Sequence, residues 1–209
     1  MLDINNAQFV KHVVFHPIEG FEDLRWKKKG SMLIAVGIVV LFFIQSIAYG
    51  RLYGFQYYVD YDKLFNIVPY LVQSVVLFLI WVVANWAMCT LFDGEGSMRR
   101  IFIYSAYALL PYIVCSLIST VLSHILVQDE EVFMTTISIV GVVWSIALML
   151  SAMKAVHQFT IGKTLALILL TFVAMIGILF LLVLLLTLFQ QVLIFLFSIY
   201  TEITYRVTM

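Results

Sequence analysis

Five long apolar runs, separated by short polar segments, dominate the pattern along the chain. An α-helix needs about 20 residues to cross a bilayer, and a segment in lipid must satisfy its own backbone hydrogen bonds. The pattern therefore predicts an all-α integral membrane protein with five transmembrane helices. The runs cover residues 32–50, 66–91, 101–126, 132–153 and 164 to about 190.

The fifth run is longer than one crossing requires, because it continues almost unbroken from Thr164 to Tyr200. A helix of that length reaches roughly 55 Å, whereas the hydrocarbon core is ~30 Å thick. Gln190 and Gln191 interrupt it, so we expect the span to end there. We expect residues 192–209 to form an extracytoplasmic helix and tail that project from the membrane or fold onto its surface. Glu202 and Arg206, four residues apart, support a helix there.

The N-terminal segment, residues 1–31, contrasts with these runs. Its part HPIEGFEDLRWKKKGS is densely charged, with Pro17 suited to a first helical position and Gly30 to a helix stop. Ile18, Phe21 and Leu24 share one face. The segment therefore predicts a short helix on the cytoplasmic membrane surface. Three roles stay open for it: membrane docking that fixes topology, a platform for a partner, and, with least support, catalysis.

The Lys and Arg residues predict the orientation. With the N-terminus inside, nine fall on the cytoplasmic side and three on the other, which follows the positive-inside rule. The protein is thus predicted to have a cytoplasmic N-terminus and an extracytoplasmic C-terminus. The nine are Lys11, Arg25, Lys27, Lys28, Lys29, Arg99, Arg100, Lys154 and Lys163, and the three are Arg51, Lys63 and Arg206.

Composition agrees with a membrane protein and limits the ligands and partners that the chain is expected to bind. The chain is 64% hydrophobic and 11% charged, against roughly 25% charged residues in soluble domains. The net charge of +0 indicates no nucleic-acid partner. Cys89 and Cys115 lie inside apolar runs without metal-site spacing, and His12 and His16 lack a third ligand. No metal or cofactor is predicted.

Polar groups within the runs are few. No Asp, Glu, Lys or Arg lies inside any of the five, which argues against an ion-coupled carrier. Asn85 and Pro111 are interpreted as structural, with a kink at Pro111. Small residues on the third and fourth runs predict close helix contacts, inside the bundle or against another subunit. These are Ser116, Thr120, Gly141 and Ser145.

Two polar features lie at the ends of the runs. The loop Asp-Gly-Glu-Gly-Ser, residues 93–97, could form an anion nest. A tight turn with Ser97 as the cap of the next helix explains it better. His157 is interpreted as an interfacial polar residue.

Several segments together resemble the bacterial branch of the Yip1 family. They are FHPIEGFEDL with KKKGS, NWAMCTLFDGEGS, YSAYALLPYI, the spacing of His157 and Lys163, and EITYR. The resemblance implies five transmembrane helices, a cytoplasmic N-terminus and an extracytoplasmic C-terminus. Eukaryotic members act in vesicle traffic with small GTPases, but their Asp-Leu-Tyr-Gly-Pro segment has no counterpart here, where the chain reads DLRWK from Asp23.

Bacterial relatives accompany components of carbohydrate ABC importers, so the resemblance implies a non-enzymatic accessory subunit of such an importer. Its partners would be the lipid bilayer, the permease subunits and a solute-binding protein. The alternatives are a stand-alone membrane organiser or homo-oligomeric scaffold, a channel or facilitator, and an intramembrane enzyme. Residues 32–191 would form the bundle. The candidate interface comprises Ile18, Phe21, Leu24, Ser116, Thr120, Gly141, Ser145, Glu202 and Arg206.

Overall fold

The predicted all-α membrane architecture is confirmed by the computed structural model, which describes residues 6–27, 30–57 and 65–208. Five helices in this part are long and apolar enough to cross a membrane. We call them spans 1 to 5 in chain order. They are Met32–Arg51, Val68–Leu91, Met98–Leu122, Gln128–His157 and Ile161–Arg206. Lys28, Lys29 and Lys63, which the orientation argument uses, lie outside the described residues.

Two short helices, α1 (Asn6–Phe15) and α2 (Pro17–Lys27), precede the spans. They form a hairpin with a close approach at Gly20, where a Cβ would lie 2.6 Å from the Cα of Val13. Pro17 begins α2 as predicted, and Gly30 lies beyond it outside any helix. The predicted short helix is therefore present.

The apolar face of α2 was predicted from Ile18, Phe21 and Leu24, and two of these three residues pack against the bundle. Phe21 and Leu24 are fully buried, and the Phe21 ring contacts that of Tyr104 on span 3. Trp144, in the middle of span 4, donates from Nε1 to the Val14 carbonyl at 3.1 Å. The hairpin therefore lies alongside span 4. Protein covers the apolar face of α2 at Phe21 and Leu24, whereas Ile18 is exposed.

Two spans depart from regular α-helix. Span 2 contains a π-helical segment at Val72–Val76 between α-helical parts Val68–Leu71 and Leu77–Leu91. Span 3 consists of Met98–Ala108 and Leu110–Leu122. The interruption at Leu109 follows from Pro111, which has no N–H to donate to the preceding turn.

Small and polar residues bring spans 1, 3 and 4 together. A Cβ on Gly141 would lie 2.6 Å from the Cβ of Cys115, so the backbones of spans 3 and 4 approach closely there. Ser145 Oγ accepts the Tyr112 amide at 3.0 Å, which follows Pro111. Gln45 on span 1 donates to Ser116 at 2.5 Å. These bonds satisfy polar groups that lipid cannot.

Span 5 belongs to a single helix, Ile161–Thr208, of 48 residues and thus about 70 Å in length. Only its first part packs on the bundle, through Thr164, Leu167 and Thr171. All side chains described from Phe180 onward are exposed. The helix continues through Gln190 and Gln191 without a break, in agreement with the predicted long fifth helix. That the membrane crossing ends at these two glutamines stays a prediction. We call residues 180–206 the distal half.

Candidate functional site

A polar assembly lies at one end of the bundle. This end, which we call the N-terminal face, holds Arg25, the loop 93–97 and the turn 158–160. Arg25 of α2 donates from Nη1 to the carbonyls of Ala155 and Val156, at 2.9 and 3.1 Å. These carbonyls end span 4, where the last turn lacks helical donors and carries the negative end of the helix dipole. The guanidinium thus caps span 4.

Arg25 also holds the loop between spans 2 and 3. Its Nη2 atom lies 2.5 Å from the Glu95 carboxylate. The Arg25 side chain is 14% exposed, whereas that of Glu95 is 64% exposed. The exposed pair by itself contributes little to stability, so the bonds of Arg25 to the helix end are the stronger link.

His157, the last residue of span 4, lies beneath this loop and is only 2% exposed. Its Nε2 atom is 3.1 Å from Asn85 Oδ1 on span 2. Asn85 Nδ2 donates to Thr171 Oγ1 on span 5 at 3.3 Å, and Thr171 donates to the Leu167 carbonyl at 2.7 Å. Because the Asn85 amide thus presents oxygen to the ring, His157 Nε2 is the donor. The chain of bonds connects spans 4, 2 and 5.

Two glycines let the loop close over His157. A Cβ on Gly94 would lie 2.6 Å from His157 Nδ1, and one on Gly96 would lie 2.5 Å from Val156 Cγ1. Asp93 adopts a left-handed conformation, with φ of 60°. The loop is a tight turn as expected, but Ser97, although at the N-cap position, makes no side-chain capping hydrogen bond, so that detail of the prediction was wrong.

Lys163 and Phe159 complete the assembly. The His157 and Phe159 rings stack at 5.5 Å with an interplanar angle of 11°. Lys163 Nζ lies 4.2 Å from the centroid of the Phe159 ring and donates to the Phe92 carbonyl at 2.8 Å. We call this set the clasp; it joins α2 with spans 2, 4 and 5. Its members are Arg25, Asn85, Glu95, His157, Phe159, Lys163 and Thr171.

The contacts of the clasp position helices. Within the described part of the chain, no group of three His, Cys, Asp or Glu side chains could hold a metal ion. His12 and His16 have ring centroids 5.1 Å apart, and His12 Nε2 lies 3.9 Å from the Asp23 carboxylate. The clasp residues instead bond to helix ends and to one another, and among these groups His157 Nδ1 is buried without a hydrogen-bond partner.

The sequence model of the Yip1 domain matches residues 11–185. The chain belongs to the Yip1 domain family. The match includes all the clasp residues and ends within span 5, shortly after that helix leaves the bundle. No curated protein and no solved structure matches the chain.

Most of the candidate interface residues of this Yip1 family member pack or form hydrogen bonds within the bundle. Phe21 and Leu24 are in the core, and Gly141 and Ser145 hold span 4 against span 3. Thr120 donates to the Ser116 carbonyl at 2.9 Å. In this structure these six residues, which include Ser116, do not form a free surface.

The other three candidates are accessible, and for them an interface role stays a prediction. Ile18 on α2 is 60% exposed. Arg206 Nη2 lies 2.7 Å from Glu202 Oε1, and both side chains are exposed near the end of the distal half. The accessible members of the predicted interface thus lie in two separate places, the α2 surface at Ile18 and the distal half of span 5.

Sequence reasoning missed the roles of Arg25 and His157. Arg25 was counted only as a positive-inside charge, and His157 was interpreted as interfacial although it is buried. Two signals were present in the sequence. One is the pair of glycines in the loop, and the other is the spacing of His157 and Lys163, which resembles that of the Yip1 family. Neither signal identifies Arg25, whose partners are 70 or more residues away.

A tyrosine cluster lies at the other end of the bundle. The rings of Tyr49, Tyr53 and Tyr57 follow one another at 5.0 and 5.8 Å. Tyr53 donates to Met134 Sδ at 3.6 Å. Burial, together with the nearby Tyr49 and Glu131, raises the pKa of Tyr53 above its ordinary value. The hydroxyl therefore stays protonated at neutral pH and remains a donor.

Proposed function

We propose that this protein is a non-enzymatic accessory subunit of an ABC-type importer in the plasma membrane and that it binds its partner through the distal half of span 5. One observation carries the proposal. The distal half is a continuous helix of roughly 40 Å with exposed apolar side chains on every side and few polar ones before Tyr200, and it packs against nothing in the described chain.

The length of this helix means that lipid alone does not account for its surface. The apolar stretch from Thr164 to Tyr200 spans roughly 55 Å, and even at a tilt of ~40° a 30 Å core takes up only about 39 Å of helix. About 15 Å of apolar helix is then left outside the hydrocarbon. Exposed apolar surface of this kind is typical of protein–protein contact sites.

An importer is the partner that the resemblance to bacterial Yip1 proteins favours, with a carbohydrate as the transported substrate. The absence of charged residues from the apolar runs argues against transport by this chain alone. In the proposed complex the permease supplies the substrate path and an ATPase hydrolyses nucleotide. The predicted orientation puts the distal half outside the cytoplasm, on the side where a solute-binding protein reaches its permease.

The test is affinity purification in a mild detergent from the native host, followed by mass spectrometry. We expect stoichiometric permease, ATPase and solute-binding protein with the wild-type chain. Ile194→Lys, in the distal half, should release them. Phe55→Lys adds the same charge to an exposed apolar residue before span 2 and should not. Recovery of the chain alone contradicts the proposal, as does full retention of the partners by Ile194→Lys.

A second candidate function, a homo-oligomeric membrane scaffold, is supported by the polar residues of the distal half. Thr187, Gln191, Ser198 and Thr201 follow one another at intervals of four, seven and three residues, which is the a and d spacing of a heptad. Their amides and hydroxyls both donate and accept, so identical seams can pair across a symmetry axis. Gln191→Leu should then lower the oligomeric state measured by native mass spectrometry, whereas Gln190→Leu, off the seam, should lower it less.

A further inference from the structure

A crevice opens between α2, span 4 and span 5 near the N-terminal face, with a volume of about 360 Å³. Spans 4 and 5 are consecutive helices joined by a short turn, yet they do not close against each other at this level. The wall from span 4 is formed by small residues, namely Ala147, Ser151 and Ala155. Small residues at this spacing normally let a neighbouring helix approach closely, but here they leave room beside α2 and span 5.

The walls of the crevice are mostly apolar and come from three elements. Ile18 contributes from α2, Leu150 from span 4, and Ile161 and Leu165 from span 5. Apolar cavities do not retain water, because a buried water needs two to four polar partners. A crevice of this kind, within reach of the bilayer, is suited to a hydrocarbon chain.

Two opposite charges line the same crevice. Glu22 of α2 lies one helical turn after Ile18, and Lys154 lies one turn after Leu150 on span 4. Neither side chain forms an ion pair or a hydrogen bond with another residue in the described part of the chain. The crevice therefore combines an apolar interior with one free cation and one free anion among the residues described there.

We propose that this crevice binds a phospholipid whose headgroup carries both an ammonium and a phosphate group. One acyl chain fills the apolar interior. Lys154 binds the phosphate, and Glu22 accepts hydrogen bonds from the primary ammonium. Phosphatidylethanolamine has this chemistry. An anionic lipid without an amine would satisfy Lys154 but place its negative charge beside Glu22, which costs affinity.

Such a lipid would connect α2 to spans 4 and 5 beside the contact that Arg25 makes with the end of span 4. The site involves neither the distal half nor any clasp residue. It can therefore be present whether or not the importer proposal is correct.

The experiment is lipid titration of the full-length, delipidated protein in detergent, with bound lipid counted by native mass spectrometry. Phosphatidylethanolamine, phosphatidylglycerol and phosphatidylcholine with identical acyl chains are compared. We expect phosphatidylethanolamine to bind about tenfold more tightly than phosphatidylglycerol, the change given by one charge-assisted contact. Phosphatidylcholine, whose ammonium has no N–H, should rank below phosphatidylethanolamine.

Headgroup variants separate the two contacts. Glu22→Gln should remove the preference for phosphatidylethanolamine over phosphatidylglycerol, and Lys154→Gln should weaken both lipids by about tenfold. Asp129→Asn, at an exposed carboxylate at the opposite end of span 4 from the crevice, is the control and should change neither affinity. Equal binding of all three lipids by the wild-type protein would overturn the headgroup assignment.

Crevice-filling variants test the acyl-chain contact. Ser151→Leu should reduce the binding of every lipid, whereas Ser151→Ala, which keeps the space, should leave it unchanged. Val140→Leu, outside the crevice on the same helix, controls for added bulk, and an unchanged thermal unfolding midpoint shows that each variant folds. Lipid binding by Ser151→Leu equal to that of wild type would mean that lipid attaches elsewhere and would refute the proposal. Displacement of lipid by a second copy of the chain on raising the protein concentration would refute it too.

Discussion

His157 Nε2 lies 3.1 Å from Asn85 Oδ1, and this contact fastens the end of span 4 to the C-terminal third of span 2. Asn85 in turn donates to Thr171 on span 5. Both residues are buried, so neither group can exchange its bond for one with water. The clasp thus depends on a polar pair that becomes costly once either partner is removed.

Replacing Asn85 by Leu is expected to destabilise the protein by about 1–3 kcal/mol, because His157 Nε2 is left buried without an acceptor. His157→Leu alone should have a similar cost. The double variant should lose less than the sum, because no polar group is left unpaired. Thermal unfolding in detergent measures all three. Additive losses would show that the two side chains do not act as a pair.

The glycines of the loop 93–97 give a second prediction. Gly94→Ala should lower stability by roughly 1–3 kcal/mol, because its Cβ meets the His157 ring and the Cys89 carbonyl. Gly177→Ala is the matched control, since a Cβ there has no neighbour within 4 Å. In mid-helix that change should stabilise by about 0.5–1 kcal/mol. Equal shifts of the unfolding midpoint for the two variants would contradict this account of the loop.

Arg25 should hold α2 in place more strongly than its exposed partner does. Arg25→Gln removes the guanidinium bonds to the two carbonyls at the C-terminal end of span 4. Hydrogen exchange within α2 should therefore accelerate by roughly tenfold or more. Glu95→Gln removes only a charge at an exposed position and should change the same exchange by less than about fivefold. Peptide-level exchange measured by mass spectrometry compares the two. An effect of Glu95→Gln as large as that of Arg25→Gln would assign the role to the ion pair.

The predicted orientation can be tested with an impermeant thiol reagent on intact cells. Cys89 is buried and Cys115 lies within span 3, so background labelling should be low. Thr201→Cys should be labelled from outside, and Glu95→Cys should be labelled only after the cells are broken. Neutralising Lys27, Lys28 and Lys29 together should disturb this pattern. Labelling of Glu95→Cys in intact cells would reverse the orientation and with it the proposed side for the solute-binding protein.

The spans were predictable because a long apolar segment in lipid can adopt few backbone structures. The residues at which their helices end were not predictable. Span 4 was predicted over residues 132–153, yet its helix continues to His157. Lys154 and His157 are polar but remain helical, and the helix ends only at Gln158 in a left-handed conformation. Span 3 begins earlier than predicted because Arg99 and Arg100 belong to its first turn. Polarity indicates where lipid ends, which need not be where a helix ends.

The clasp could not be derived from periodicity, because it depends on pairs distant in sequence. Arg25 and Glu95 are 70 residues apart, and His157 and Asn85 are 72 apart. Asn85 was recognised as structural from its place among apolar residues, but its partners become evident only once spans 2, 4 and 5 are assembled. The apolar stripe of α2 was also visible, yet a pattern cannot tell whether lipid or protein covers a stripe.

The interruption of span 3 at Leu109 divides this span into two helical segments that are anchored separately. In the segment before Leu109, Ser105 accepts from Trp81 of span 2 at 3.1 Å. In the segment after it, Ser116 accepts from Gln45 of span 1, and Ser119 lies 3.1 Å from Ser138 of span 4. The two sets of bonds share no residue, so loss of one set leaves the other in place.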